Sequence, residues 1–235
     1  MIIATNVNKR FGKLQALDNV SLNCNKGQTI ALIGPNGSGK TTFIKCLLGM
    51  VIPDSGFITV NNKNISHDWH YRKQIGYMPQ MSRFPENMTI EQVIDMVKDI
   101  RSDANESMDE ELPEAFGLKA LYGKRMRTLS GGTRQKVSAC LAFLFNPDIL
   151  ILDEPTAGLD PVSSEILKEK IISEKSKGKL TLITSHVLSD LDDLVTEVVY
   201  MQDGKLRFHS PLTKLQKETG EEKLNKVIAR IMQNQ

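Results

Sequence analysis

Apolar and polar positions alternate through Ile3, Val7, Phe11, Leu17, Val20, Leu22 and Ile30, with turn residues at Gly12 and at Asn25-Lys26-Gly27. A period of two predicts short antiparallel strands over residues 2–33. Pro53-Asp54-Ser55-Gly56 is a turn by composition, and residues 57–60 return as a strand. Residues 75–78 form another strand, ending at Pro79 with Gln80 the first polar residue beyond it. The period then changes. Thr89 to Gln92 fits a capping box, and Ile90, Val93, Ile94 and Val97 make one helical stripe. The acidic, polar stretch 102–114 reads as exposed, and a helix-compatible run ends at Phe145. Residues 149–152 are continuously apolar and end in Asp153 and Glu154, the pattern of a strand buried on both faces with acids at its C-terminal end. A helix follows, opened by Pro161 and closed near Gly178, with Ile166, Leu167, Ile171 and Ile172 as its apolar face. Residues 180–184 form the next strand, and Asp203-Gly204 joins a hairpin. The expected architecture is α/β. Its core spans residues 1–80 and 147–210, with a helical insertion at 81–146 and a C-terminal helical tail at 211–235.

The chemistry concentrates in a few places. Gly34-Pro35-Asn36-Gly37-Ser38-Gly39-Lys40-Thr41-Thr42 lies between an apolar strand and a helix. Glycines let the backbone wrap a phosphate, so that successive N–H groups and the helix N-terminus point at one anion. Lys40 supplies charge to β- and γ-phosphates, and the Thr41 hydroxyl a ligand for Mg²⁺, which makes this a nucleoside triphosphate site. Phe11 is a candidate to stack on the base, against the alternative of a core aromatic. Leu129-Ser130-Gly131-Gly132 opens a helix. Ser130 serves as an N-cap, but two glycines in a first turn weaken a helix by roughly 1 kcal/mol each, which a phosphate approaching the backbone would explain. Asp153 is placed to hold Mg²⁺ and Glu154 to orient and deprotonate water. His186, at a strand tip, is a candidate γ-phosphate contact. His67 and His70 could face one way, but two imidazoles without a third ligand favour a solvated surface.

Composition narrows the classes. The chain has 235 residues, 40% hydrophobic and 25% charged, with a formal net charge of +2, so no basic footprint argues for nucleic acid. Three widely spaced cysteines, Cys24, Cys46 and Cys140, indicate reduced thiols filling a core. No secretory signal is visible, and the longest apolar run, at 139–145, is too short to span a bilayer. A membrane role therefore needs a partner chain.

With the phosphate loop, Gln80, Leu129-Ser130-Gly131-Gly132, the Asp153-Glu154 strand and His186 in this order, the sequence resembles the ATP-binding cassette (ABC) ATPases over nearly its whole length. The resemblance implies a P-loop core with an antiparallel β subdomain and an inserted helical subdomain. It implies two ATPs sandwiched in a homodimer, each between one subunit's phosphate loop and the other's Ser130 segment, with Asp160 at the seam and Gln80 sensing the γ-phosphate through Mg²⁺ or water. Thr133 departs from the glutamine most common in the family. Chromosome-maintenance relatives split these motifs with a long coiled coil for which there is no room here, ribosome-binding relatives carry two cassettes, and a non-hydrolysing scaffold would lack Glu154 or His186. The expectation is thus an ATPase powering an integral membrane permease from the cytoplasmic face of the cell membrane. Residues 81–87, poorly suited to a helix interior, are expected to dock a cytoplasmic helix of that partner, against the alternative of a linker with Phe84 packed inward. A narrower likeness lies in Arg72-Lys73-Gln74-Ile75-Gly76-Tyr77-Met78-Pro79-Gln80 and Arg83-Phe84-Pro85-Glu86-Asn87-Met88-Thr89. It is similar to ATPase subunits of Nos transporters, which serve maturation of the copper enzyme nitrous oxide reductase. That likeness implies a copper- or sulfur-related cargo and a periplasmic accessory protein, where the broader one allows another small-molecule or drug exporter.

Overall fold

The structure, a computed structural model, describes residues 1–66, 68–101 and 108–233. His67 and the 102–107 part of the acidic stretch lie outside the described residues. In chain order the elements are β1 (Ile2–Phe11), β2 (Leu14–Cys24), β3 (Thr29–Ile33), α1 (Lys40–Leu47), β4 (Ser55–Val60), β5 (Lys63–Asn64), β6 (Ile75–Met78), α2 (Ile90–Ile100), α3 (Glu111–Ala115), α4 (Gly131–Phe143), β7 (Ile149–Asp153), α5 (Pro161–Ser176), β8 (Leu180–Thr184), β9 (Glu197–Gln202), β10 (Lys205–Pro211), α6 (Leu212–Thr219) and α7 (Leu224–Gln233).

They build two sheets, one antiparallel in the order β2-β1-β4-β5 and one in the order β10-β9-β3-β8-β7-β6. In the second sheet β3 pairs in parallel with β8 and β9, and β7 in parallel with β6 and β8, while β10 is the antiparallel edge. This corrects the reading of 2–33 as short antiparallel strands. β3 is a central parallel strand, and β1 and β2 run for 10 and 11 residues. Their pairing shifts register between Ala4 and Val7 and again near Lys9, with Asn6 and Asn19 at positive φ. A bulge interrupts the alternation without ending the strand.

The parallel strands are buried on both faces, and successive residues feed different apolar clusters. Ala31, Leu150, Leu152 and Ile183 pack with α2, α4, α5 and α7, whereas Ile30, Ile149, Ile151 and Leu182 pack with α1, β1, β2 and β4. α4 lies with its C-terminal half against β6 so closely that a Cβ on Gly76 would fall on the Ala142 carbonyl. Among the described residues no helix is long and apolar enough to cross a membrane. All three cysteines are buried and free, and burial pushes the thiols of Cys24 and Cys46 up to about 12 and about 11, which leaves them unreactive.

Two surface expectations change. On α5, Ile172 points outward at 43% exposure, and the buried face carries Lys170 and Glu174 beside Leu167 and Ile171. Lys170 Nζ meets Asp109 and Glu111 at 2.5 Å and Glu174 at 3.1 Å, and Glu174 is also held by Lys177 at 2.7 Å and by Lys179. The described part of the acidic stretch, 108–114, is accordingly half inward: Leu112 and Pro113 are buried on α3, while Asp109 and Glu111 answer the buried lysine.

Candidate nucleotide site

The site begins where β3 ends. Gly39 caps α1 at φ 100°, and a Cβ there would lie 2.5 Å from the Ala16 carbonyl, so the loop can close only around glycine. α1 has no side-chain cap and no acid in its first turn, which leaves its N–H groups and positive dipole end for an anion. The Lys40 ammonium donates to the carbonyls of Gly34 and Pro35 at 2.7 and 3.0 Å. Burial pulls its pKa below the ordinary lysine range, against the opposing pull of Glu154 and Asp153.

The acids arrive from β7. Asp153 and Glu154 are 8% and 7% exposed. The Thr184 hydroxyl donates to Asp153 Oδ1, and Glu154 N donates to the Thr184 carbonyl at 3.1 Å. These bonds hold Glu154 at φ 53°, a left-handed conformation uncommon for a side chain of its size. His186 N donates to Glu154 Oε2 at 3.0 Å, and its ring Nε2 lies 3.5 Å from Oε1.

One cavity of about 440 Å³ collects Phe11, Asn36, Gly37, Gly39, Lys40, Thr41, Thr42, Gln80, Asp153, Glu154 and His186. Phe11 is 49% exposed, with Lys9 Nζ 5.5 Å from its ring centroid, so it is no core aromatic. Gly34 does not line this cavity. Its φ is 148°, and a Cβ would run into the Met201 carbonyl, so the close approach of β9 accounts for it.

Ser130, Gly131, Gly132 and Asp160 also lie outside the cavity, gathered in a second cluster. Ser130 Oγ caps α4 by accepting from Thr133 N at 3.2 Å. A Cβ on Gly131 would meet open space, whereas one on Gly132 would lie 2.7 Å from the Gly158 carbonyl. Asp160 caps α5, accepting from Ser163 N at 2.9 Å and Ser163 Oγ at 2.7 Å, and pairs with Lys136 at 2.9 Å. The Ser163 bonds, then Lys136, hold its carboxyl well below the usual range. His70 stacks on Trp69 and bonds Asp68 at 2.9 Å, and no group of three or more His, Cys, Asp or Glu poised for a metal occurs among the described residues.

Leu14 and Ala16, which also line the cavity, and Thr184, which positions both acids, are not singled out by any motif in the sequence. The position of Thr184 at the end of the strand leading to His186 was the one available signal.

The profile of a family described as "ABC transporter" matches residues 17–157. The chain is similar to the Nod factor export ATP-binding protein I of Burkholderia lata, 31% identical over 220 residues that cover 92% of this chain and 72% of that protein. It superposes on a structure titled as the ATP-binding subunit of an ABC transporter with a TM-score of 0.90 at 26% identity, covering 99% of both chains. The fold is shared with the ATP-binding cassette MJ0796, solved as a dimer bound to ADP and Pi, at a TM-score of 0.79 and 24% identity over 90% of this chain and 99% of that one. This chain belongs to the ABC transporter family, as an ATP-hydrolysing cassette whose turnover is coupled to transport.

Proposed function

We propose that two copies of this chain close face to face on two ATPs and power a separate integral membrane permease from the cytoplasmic face of the cell membrane. The observation that carries this reading is the separation of the two clusters. The phosphate loop, Gln80, Asp153, Glu154 and His186 share one cavity, while Ser130 and the open Gly131 stand outside it. A second copy can bring an exposed helix N-terminus to the outer side of the bound phosphates. The dimeric assembly of a cassette with the same fold supports it.

Within one site, Lys40 and the N–H groups of α1 bind the phosphates and Phe11 takes the base. Thr41, Gln80 and Asp153 offer hydroxyl, amide and carboxylate oxygens to one cavity, a hard donor set that suits Mg²⁺ beside phosphate. Bound there, Mg²⁺ would neutralise charge on the triphosphate. Glu154 orients water and takes its proton. His186, fixed to Glu154 at its backbone, reaches the γ-phosphate side.

The partner docks on the segment that follows Gln80 in the chain. Residues 85–88 and α2 enclose a groove of about 990 Å³ with Met88, Met96 and Ile100 among its apolar lining and Glu86, Asp95 and Asp99 among its acids. Met81 and Ile100 are exposed at 76% and 77%, whereas Phe84 packs against the core, as the linker alternative held. The direction is export, supported by the printed name of the Burkholderia lata relative. The narrower reading, a Nos-type cargo with a periplasmic accessory protein, is supported by the likeness at 72–80 and 83–89 alone. Loss of copper-loaded nitrous oxide reductase on deleting the gene would support it, and normal enzyme would leave export of another small molecule.

The test mixes two inactive variants. Ser130→Arg and Lys40→Ala chains each form dead homodimers, but their mixture contains dimers with one intact site and should regain ATPase activity. A mixture that stays inactive, or a wild-type rate independent of protein concentration on dilution, overturns the composite site.

A further inference from the structure

The C-terminal helix α7 packs behind the His186 segment. One end of that segment faces the chemistry, with His186 N on Glu154 Oε2 at 3.0 Å. From there the chain makes a 3-10 turn at Leu188–Leu191 and reaches Asp192, whose Oδ1 accepts the N–H of Leu224, the first residue of α7, at 2.7 Å. Between these ends Leu188 joins Ile228 and Met232 of α7 around a cavity of about 300 Å³ that also touches Pro35 and His186. Leu224 and Val227 are fully buried and Ile228 is 6% exposed, so the helix is seated as core. The segment's other ties are Thr156 Oγ1 to Asp190 Oδ2 at 2.8 Å, Lys168 to Asp190 at 3.7 Å, and the Ser185 hydroxyl with the Val187 backbone at 3.0 and 3.1 Å.

We propose that α7 is a positioning element for hydrolysis, with Ile228 and Met232 acting through Leu188, and Asp192 acting as the cap, to set His186 against Glu154. None of these residues touches the nucleotide. The cavity beside Leu188 leaves the turn room to fall back once the α7 side chains are shortened, and core sites do relax partway into such space. A displacement of about 1 Å at a residue that contacts the transferred group lowers turnover by up to about 10²-fold. The α1 N-terminus that receives the phosphates does not line this cavity, which meets the phosphate loop only at its start, at Gly34 and Pro35. The signature is therefore a lowered kcat with an unchanged KM.

The inference rests on His186 acting at the γ-phosphate, so the test carries one readout that does not need activity. In full-length Ile228→Ala/Met232→Ala, kcat should fall about tenfold, while KM and the affinity for a fluorescent ATP analogue stay within about twofold. Amide hydrogen exchange across 185–192 should quicken with no change at residues 39–42, which open α1 away from this cavity, and Ile228→Leu should restore both. Unchanged kcat and exchange in the folded double variant overturn the proposal, as does a loss of kcat matched by an equal loss of folded protein in a thermal melt. Should the double variant not fold, Asp192→Ala removes the acceptor for Leu224 N while keeping Leu188, Ile228 and Met232, and decides by the same split: a fall in kcat alone supports the proposal, and wild-type kcat and exchange overturn it. If wild-type protein lacks ATPase activity, the functional reading fails instead, and exchange at 185–192 alone decides this one.

Discussion

At Glu154 the backbone adopts φ 53°, a conformation that costs a non-glycine residue of order 1–3 kcal/mol and persists only where its surroundings impose it. The imposing bonds are those from Glu154 N to Thr184 and from His186 N to Glu154 Oε2. Glu154→Gln preserves both, because an amide oxygen can still accept from His186, yet it cannot take a proton from water. We expect kcat to fall by about 10² to 10⁴ with ATP retention unchanged in a filter-binding assay; normal turnover would remove Glu154 as the base. The paired glycines allow a sharper comparison. Gly131→Ala meets open space and gains helix propensity, so Tm should hold or rise while ATPase activity falls. Gly132→Ala drives a methyl toward the Gly158 carbonyl and should lose about 1–3 kcal/mol of stability in urea unfolding. Equal Tm in the two variants would contradict the assignment. Lys40, Asp153 and Glu154 could be singled out as candidates in the sequence from their neighbours in the chain, and the structure brings the three to one cavity. Thr184 and the constraint on Gly132 could not, since their partners lie 31 and 26 positions away and only the fold brings them near.

Among the elements, α5 shows how a helix can defeat a reading of its apolar stripe. Period alone chose Ile172, but Lys170 and Glu174 occupy the inner face because α3 and the start of β8 answer them with Asp109, Glu111 and Lys179. A buried ion group of this kind is recognisable only once its countercharges are in place. Burial works against the Glu174 charge, but Lys177, Lys179 and Lys170 outweigh it and hold the carboxyl down to about 2, from an ordinary 4.5. A folded pKa below the unfolded one stabilises above the unfolded value and is lost as pH falls through the folded one. Stability should thus decline between pH 4.5 and about 2 partly through this residue. Glu174→Gln should flatten that decline in urea titrations and lower stability at pH 7 by about 3 kcal/mol, since buried Lys179 loses its carboxylate while Lys170 keeps Asp109 and Glu111. An unchanged acid limb would refute it. The capping box on α2 and the Pro161 opening of α5 were readable because they are settled within one turn, whereas Asp160 as the cap of α5 was not foreseen. The length of β1 and β2 was not, because register shifts imitate strand ends.

Across the molecule, the two sheets divide the lining of the candidate nucleotide cavity between them. The six-stranded sheet and the loops at the ends of its strands deliver every charged group in the cavity, while the antiparallel sheet contributes Phe11, Leu14 and Ala16 at the β1–β2 hairpin. Those three side chains carry no hydrogen-bonding atom. A flat ring can cover any purine, because base stacking is tolerant of the edge groups, whereas discrimination by a factor of 10⁴ or more requires donors and acceptors matched to them. If Phe11 takes the base by stacking alone, the protein should tell adenine from guanine only weakly. GTP should sustain hydrolysis with kcat/KM within about tenfold of ATP. A preference for ATP beyond about a thousandfold would mean that some polar group reads the base edge. In a cell the choice of fuel would then fall to the relative abundance of the two nucleotides, and transport would follow the state of the whole purine triphosphate pool.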